Sequence, residues 1–238
     1  MKKIFLLIYL SISNFAISQP ILSKAFYYNL TYLPDSLNPS RTATESFVLL
    51  IKDSNTFFSS TNYLKLRKSI NGLEKKVSSG AITSIGGNSL PKTKFMSSVY
   101  KVFESGKTVQ LLDMITHIYG VEYPLLNWKI ATDTQTINGL SCKKALVHFA
   151  GRDYTAWFSN EIPISEGPYI FKGLPGMVVS IADNDGFYKW ELSNISDRAD
   201  VEIVAYNEKG VKWIRRSEMI YLNTYNGRRT RMVEAGIF

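Results

Sequence analysis

Few side chains in the 238-residue sequence could carry covalent or acid–base chemistry. Its two histidines, His117 and His148, each fall in a predicted strand among apolar residues. A general base needs a nucleophile within reach, and nothing local to either histidine supplies one. A Gly-x-Ser-x-Gly elbow is absent, which argues against an α/β-hydrolase triad. Asp153, Glu161 and Glu166 could act as the paired carboxylates of a glycosidase, but their spacing equally suits solvated loop acids. Cys142 is the sole cysteine, so no intrachain disulfide is possible. It reads as a small buried hydrophobe at a strand start, although Lys143 and Lys144 leave an activated thiol open. Asp183-Asn184-Asp185-Gly186 resembles the opening of a calcium loop, but Leu192 stands where the loop needs its glutamate, so a hairpin turn is expected. The predicted site therefore contains no catalytic residue, no metal and no cofactor.

The elements that must position these residues are mostly strands. From Leu22 to Tyr32, Phe26, Tyr28, Leu30 and Tyr32 alternate with Tyr27, Asn29 and Thr31, the period of a half-buried strand. Ser46–Lys52 is apolar on both faces and belongs deep in a sheet. After Ser60 and Thr61, Tyr63, Leu66, Ile70 and Leu73 recur at helical spacing with Lys65, Lys68 and Lys75 between them. This predicts one short amphipathic helix laid on a core and weakened at Gly72; a basic helix of this kind also suits a membrane surface. Residues 78–92 read as a loop or a frayed strand. Strands are expected over Phe95–Phe103, over Thr108–Tyr119, as a short strand from Trp128, and over Lys144–Phe149 and Tyr154–Phe158. Turns are expected at Glu104-Ser105-Gly106, Asn138-Gly139 and Gly151-Arg152-Asp153.

The stretch after Phe158 is different. Ile162-Pro163, Gly167-Pro168 and Leu174-Pro175 follow in close succession. Proline fixes φ and removes a donor, so this cannot be a central strand and must run as an ordered crossover. Leu174-Pro175-Gly176-Met177 has the signature of a type II turn, with Gly176 supplying positive φ and Gly173 offering a place for close backbone approach. On that basis Gly176→Ala costs about 1–2 kcal/mol. Met177–Ile181 then enters the core, and Phe187, Tyr188 and Trp190 return after a turn at 183–186.

At this point the sequence resembles the GLPGLI family of bacterial envelope proteins. Its six-letter motif reads here Gly173-Leu174-Pro175-Gly176-Met177-Val178, preceded by the Ile162-Pro163 and Gly167-Pro168 steps in a block over 139–195. The resemblance implies a single mainly β domain of curved antiparallel sheet, similar to the half-barrels of periplasmic lipoprotein carriers, and an envelope location. It implies no activity.

The ends agree with that location. Lys2 and Lys3, an apolar run over 4–12 and Ala16-Ile17-Ser18 read as a signal peptide cleaved after Ser18, leaving a domain over 19–238. No later stretch is long and apolar enough to be a transmembrane helix, and no cysteine follows the signal to take a lipid anchor. The expected location is the periplasm or the exterior. The chain carries 28 basic and 20 acidic side chains, net +8. Much of the excess falls late, at Lys209, Lys212, Arg215, Arg216, Arg228, Arg229 and Arg231. Export argues against nucleic acid, leaving a lipid, an acidic envelope protein or plain solvent as partner for that basic face. The function expected is non-enzymatic, with an apolar or amphipathic ligand held on a concave sheet face lined by Trp157, Tyr169, Phe171, Tyr188 and Trp190. The alternatives are a protein-interaction accessory of outer-membrane machinery and, less favoured by the residues, a hydrolase.

Overall fold

The computed structural model describes residues 24–219 apart from 36–37, 53–54, 81–89, 103–104, 115–116 and 198–205. The expected signal peptide and the arginines at 228, 229 and 231 lie outside them. The first half contains β1 (Lys24–Tyr32), β2 (Ala43–Lys52), β3 (Asn55–Ser60), α1 (Thr61–Ser78), β4 (Ser97–Lys101), β5 (Thr108–Met114) and β6 (His117–Tyr123). The second contains β7 (Lys129–Ile137), β8 (Leu140–Phe149), β9 (Arg152–Ser159), β10 (Met177–Asp183), β11 (Tyr188–Ser196) and β12 (Val211–Trp213). The fold is mainly β, as the alternation predicts. All twelve strands form one sheet, ordered β12-β6-β5-β4-β3-β2-β1-β11-β10-β9-β8-β7. Every pairing is antiparallel except that of β12 with β6.

Topology forces this sheet to curl. β6 and β7 lie ten positions apart in the sheet, yet only residues 124–128 connect them. Laid flat, ten strand spacings would separate them by about 48 Å. The link reaches at most about 21 Å fully extended. The two ends must therefore come round toward each other. Contacts across the mouth show that they do: the Tyr123 and Phe149 rings are 6.0 Å apart.

The curl divides the side chains of each strand between two environments. On β1, Phe26, Tyr28, Leu30 and Tyr32 face the concave interior, while Ala25 and Tyr27 face a smaller cluster on the outside. On β2, Phe47 and Leu49 point in and Val48 and Leu50 point out, so the strand is buried on both faces as its run of apolar residues requires. The outer cluster is closed by Leu64 of α1, with Tyr206 packed against it.

α1 starts where Ser60 caps it. The Ser60 hydroxyl accepts from the Tyr63 amide at 3.2 Å and donates to the buried Glu45 carboxylate, which also accepts from Thr93. Tyr63 and Arg67 both reach Asp113 on β5, at 3.0 and 3.3 Å. The helix runs past Gly72 to Ser78 because an exposed glycine with open space around it only weakens a helix.

Four local readings need correction. Asn55–Ser60 forms a strand, which six residues of mixed polarity did not announce. Thr108–Tyr119 is two strands, paired with Met114 opposite His117. The turn after β8 uses Ala150 and Gly151, both at positive φ, and Arg152 and Asp153 already belong to β9. The strand after Trp128 is long, nine residues, not short.

Ser60→Ala removes both the cap and one of the donors to Glu45. It is expected to cost about 1–2 kcal/mol, read as a lower urea midpoint with an unchanged slope.

Candidate functional site

The proline-rich segment leaves β9 after Ser159 and rejoins β10 at Met177, which is paired directly with Ser159. Residues 160–176 are thus an excursion between adjacent strands, and the excursion goes inward. Tyr169, Ile170, Phe171 and Leu174 are buried in the main core, and all three prolines keep trans bonds. Backbone bonds tie the segment to itself and to β10: Gly173 N–H donates to Ser165, Met177 N–H to Ile162, and Val178 N–H to Glu166.

The Pro175 corner is not a type II turn. Gly176 N–H donates to the Leu174 carbonyl at 2.8 Å, and the Met177 N–H goes to Ile162 instead of Leu174. This closes a three-residue turn about Pro175. Gly176 is required for space: a Cβ there would lie 2.3 Å from the Ser159 carbonyl oxygen. Gly167 is similarly confined: a Cβ there would lie 2.1 Å from the Phe171 carbonyl oxygen. Gly173 holds the positive φ, +96°, with only Trp128 near it. Gly176 also takes the positive φ expected of it, +157°, but the close backbone approach expected at Gly173 falls at Gly176 instead.

Two polar groups anchor the excursion inside the apolar core. Glu166 and Lys172, with side chains 5% and 6% exposed, sit 3.7 Å apart, and Lys101 of β4 donates to Glu166 at 2.7 Å. Burial lowers the Lys172 pKa, and the Glu166 carboxylate opposes that shift. The second anchor is a chain of neutral groups. Tyr123 and Tyr169 both donate to the Gln110 carbonyl, at 2.6 and 3.1 Å, and Gln110 donates to Ser97. Tyr169 takes φ +54°, a conformation costly for a bulky residue, and its hydroxyl contacts show what holds it there. Trp128, from the short link, donates its indole N–H to the Lys172 carbonyl at 2.8 Å. Tyr28 donates to the Val178 carbonyl at 2.7 Å.

Of the five proposed lining residues, Tyr169, Phe171, Tyr188 and Trp190 are buried in the interior, and Trp157 is half-buried against it. Trp190 packs on Phe47 at 4.6 Å and Phe171 on Tyr154 at 4.7 Å. The gap left among Phe47, Phe58, Phe95, Ser97, Val99, Tyr169 and Trp190 is ≈ 10 Å³, the lower limit for a single water. Ile162 is half-buried and Pro163 exposed at the start of the excursion, while Pro168 is buried and Pro175 exposed.

The structure separates the candidate acids and bases. Glu161 accepts from the Ser141 amide, Glu166 takes its lysines, and Asp153 meets His148 at 2.7 Å in an exposed cross-strand pair. Asp183 and Asp185 both accept from Arg152, at 2.8 and 3.1 Å, so a guanidinium occupies the centre of the supposed calcium turn. Among the described residues no group of acids, histidines or cysteines could hold a metal. Burial pushes the Cys142 thiol up, away from reactivity. Sequence reasoning missed Gln110, Tyr123 and Lys172. A buried lysine between Phe171 and Gly173 has no periodic signature, and the other two matter only through residues distant in sequence.

Residues 150–180 match the model of a family described as a protein of unknown function, Porph_ging. No protein of curated function matches the chain. Among solved structures, PNGF-II in its P21 space group is 12% identical with a TM-score of 0.51, over 84% of this chain and 33% of that one. PNGF-II in its C2 space group gives 12% and 0.50, over 88% and 33%. The chain thus spans about a third of the length of these structures, and the likeness is one of fold.

Two outcomes follow. Gly176→Ala must displace the Ser159 backbone and should cost about 2–3 kcal/mol, above the sequence-based figure, measured by chemical denaturation. Burial also raises the hydroxyl pKa of Tyr28, Tyr169 and Tyr188 above the ordinary 10.0. Folded-state values above the unfolded one give stability that is intact below pH 10 and lost as pH rises beyond it. Tyrosinate absorbance should therefore rise for these residues together with loss of near-ultraviolet circular dichroism. A smooth titration in the still-folded protein would contradict their burial.

Proposed function

We propose that the chain is an exported, non-enzymatic envelope protein of the GLPGLI kind whose outer surfaces engage a partner, and that its concave interior holds its own crossover in place of a cargo. One observation carries this reading: the position a carried ligand would take is filled by Tyr169, Ile170, Phe171 and Leu174, and the gap between Tyr169 and the sheet at Phe47, Phe58 and Trp190 is ≈ 10 Å³. A carrier needs an apolar cavity of several hundred Å³. Opening one here would pull Glu166 and Lys172 apart in a buried setting, where breaking a pair is strongly destabilising. That favours the interaction-accessory reading over the carrier reading. The signal-like sequence over 1–18 and the Gly173–Val178 motif support the envelope location.

Native mass spectrometry of protein purified from its own envelope, without detergent exchange, tests the proposal. The expected spectrum shows the chain alone or with a stoichiometric protein. One lipid retained per chain at moderate activation energy would restore the carrier reading.

A further inference from the structure

Resting on the reading that the outer surfaces do the work, we propose that α1 is a docking element for an anionic lipid bilayer. The helix is held at one end only. Its buried residues are Tyr63 and Leu64, and its ties to Asp113 come from Tyr63 and Arg67, all within the first two turns. Beyond that anchor, Leu66, Ile70, Leu73 and Val77 follow each other at steps of four, three and four, which places them on one stripe. By the same spacing the stripe runs on from the buried Tyr63, so one margin borders the anchored face while the other lies on the side of the helix away from it. Ile70 is 39% and Val77 49% exposed, and Leu66 and Leu73 are half-buried.

Charge selects the occupant. Lys65, Lys68, Lys75 and Lys76 are exposed on the helix, and Glu74 is its single acid. At 100° per residue, Lys65 and Lys76 fall beside one margin of the stripe, where their alkyl stems can lie along apolar material and their ammonium groups reach an anionic surface. Two copies of the helix packed antiparallel, stripe to stripe, would set these lysines against each other, so that self-pairing works against the charge pattern. The part of the stripe beyond the buried Tyr63 is wholly aliphatic and lacks the aromatic anchors that dominate protein–protein hot spots. A narrow aliphatic stripe margined by lysine is the pattern of a helix lying in the headgroup–acyl boundary.

The test is cosedimentation of the mature full-length chain with phosphatidylcholine vesicles, with and without about one-third phosphatidylglycerol. Binding is expected only to the anionic vesicles and should weaken as salt is raised. Ile70→Glu with Val77→Glu, and separately Lys65→Glu with Lys76→Glu, should each weaken it about tenfold or more. Both pairs are exposed, so the melting curves should match wild type. Three results would each overturn the proposal: no binding to anionic vesicles, undiminished binding by both double variants, or a dimer in sedimentation that Ile70→Glu with Val77→Glu abolishes. None of them would bear on the native mass spectrum, which tests the filled interior separately.

Discussion

The short span from Tyr123 to Lys129 governs the architecture. Joining strands that stand ten places apart in the sheet order with so little chain leaves the sheet no flat solution. Curling makes one face concave and brings β6 opposite the β8–β9 hairpin. It also creates an enclosed apolar space that some material must fill, because interiors pack to the density of organic crystals. The excursion over 160–176 fills it. Trp128, in the link itself, bonds to that excursion, so the element that forces the curl also touches what the curl encloses.

A loop placed inside a core brings polar backbone and side chains with it, and each must find a partner. Here most of the accounting closes, although the Tyr154 hydroxyl, the Trp190 indole N–H and one Glu166 carboxylate oxygen are buried without a hydrogen bond among the described residues. The amides of Gly173, Met177 and Val178 find carbonyls within the module, the hydroxyls of Tyr123 and Tyr169 share Gln110, and Glu166 has Lys101 and Lys172. Glycines at 167 and 176 allow backbone to pass backbone at distances that exclude any side chain. The polar groups specify one placement of the loop, and the aromatic rings around Phe171 and Trp190 supply the apolar burial that makes the placement favourable.

Much of the strand content was legible because its signals are local. Alternation along Phe26–Tyr32 marked β1, and Asn138-Gly139 marked a hairpin whose two residues both take positive φ. Ser60 marked the start of α1 through hydroxyl chemistry alone. The misreadings were of a different kind. Between Met114 and His117 the sequence has no glycine, asparagine or proline to announce a break, so β5 and β6 ran together on the page. Asn55–Ser60 is a strand because β2 and β4 flank it on either side, not because of its own composition. The aromatic residues expected as lining belong to the main core or pack against it, and composition cannot say whether such residues face a cavity or their own chain.

By itself the sequence determined where the chain alternates, where it turns, where a helix begins and where prolines forbid a strand. Each of those follows from torsional preference or side-chain spacing over a few residues. Only the tertiary structure decided that the crossover lies inside the sheet, that Gly176 is needed for clearance, and that Lys172 is buried against Glu166. Those outcomes depend on which strands become neighbours once the sheet bends, and contacts between residues far apart in the chain leave no periodic trace in its order.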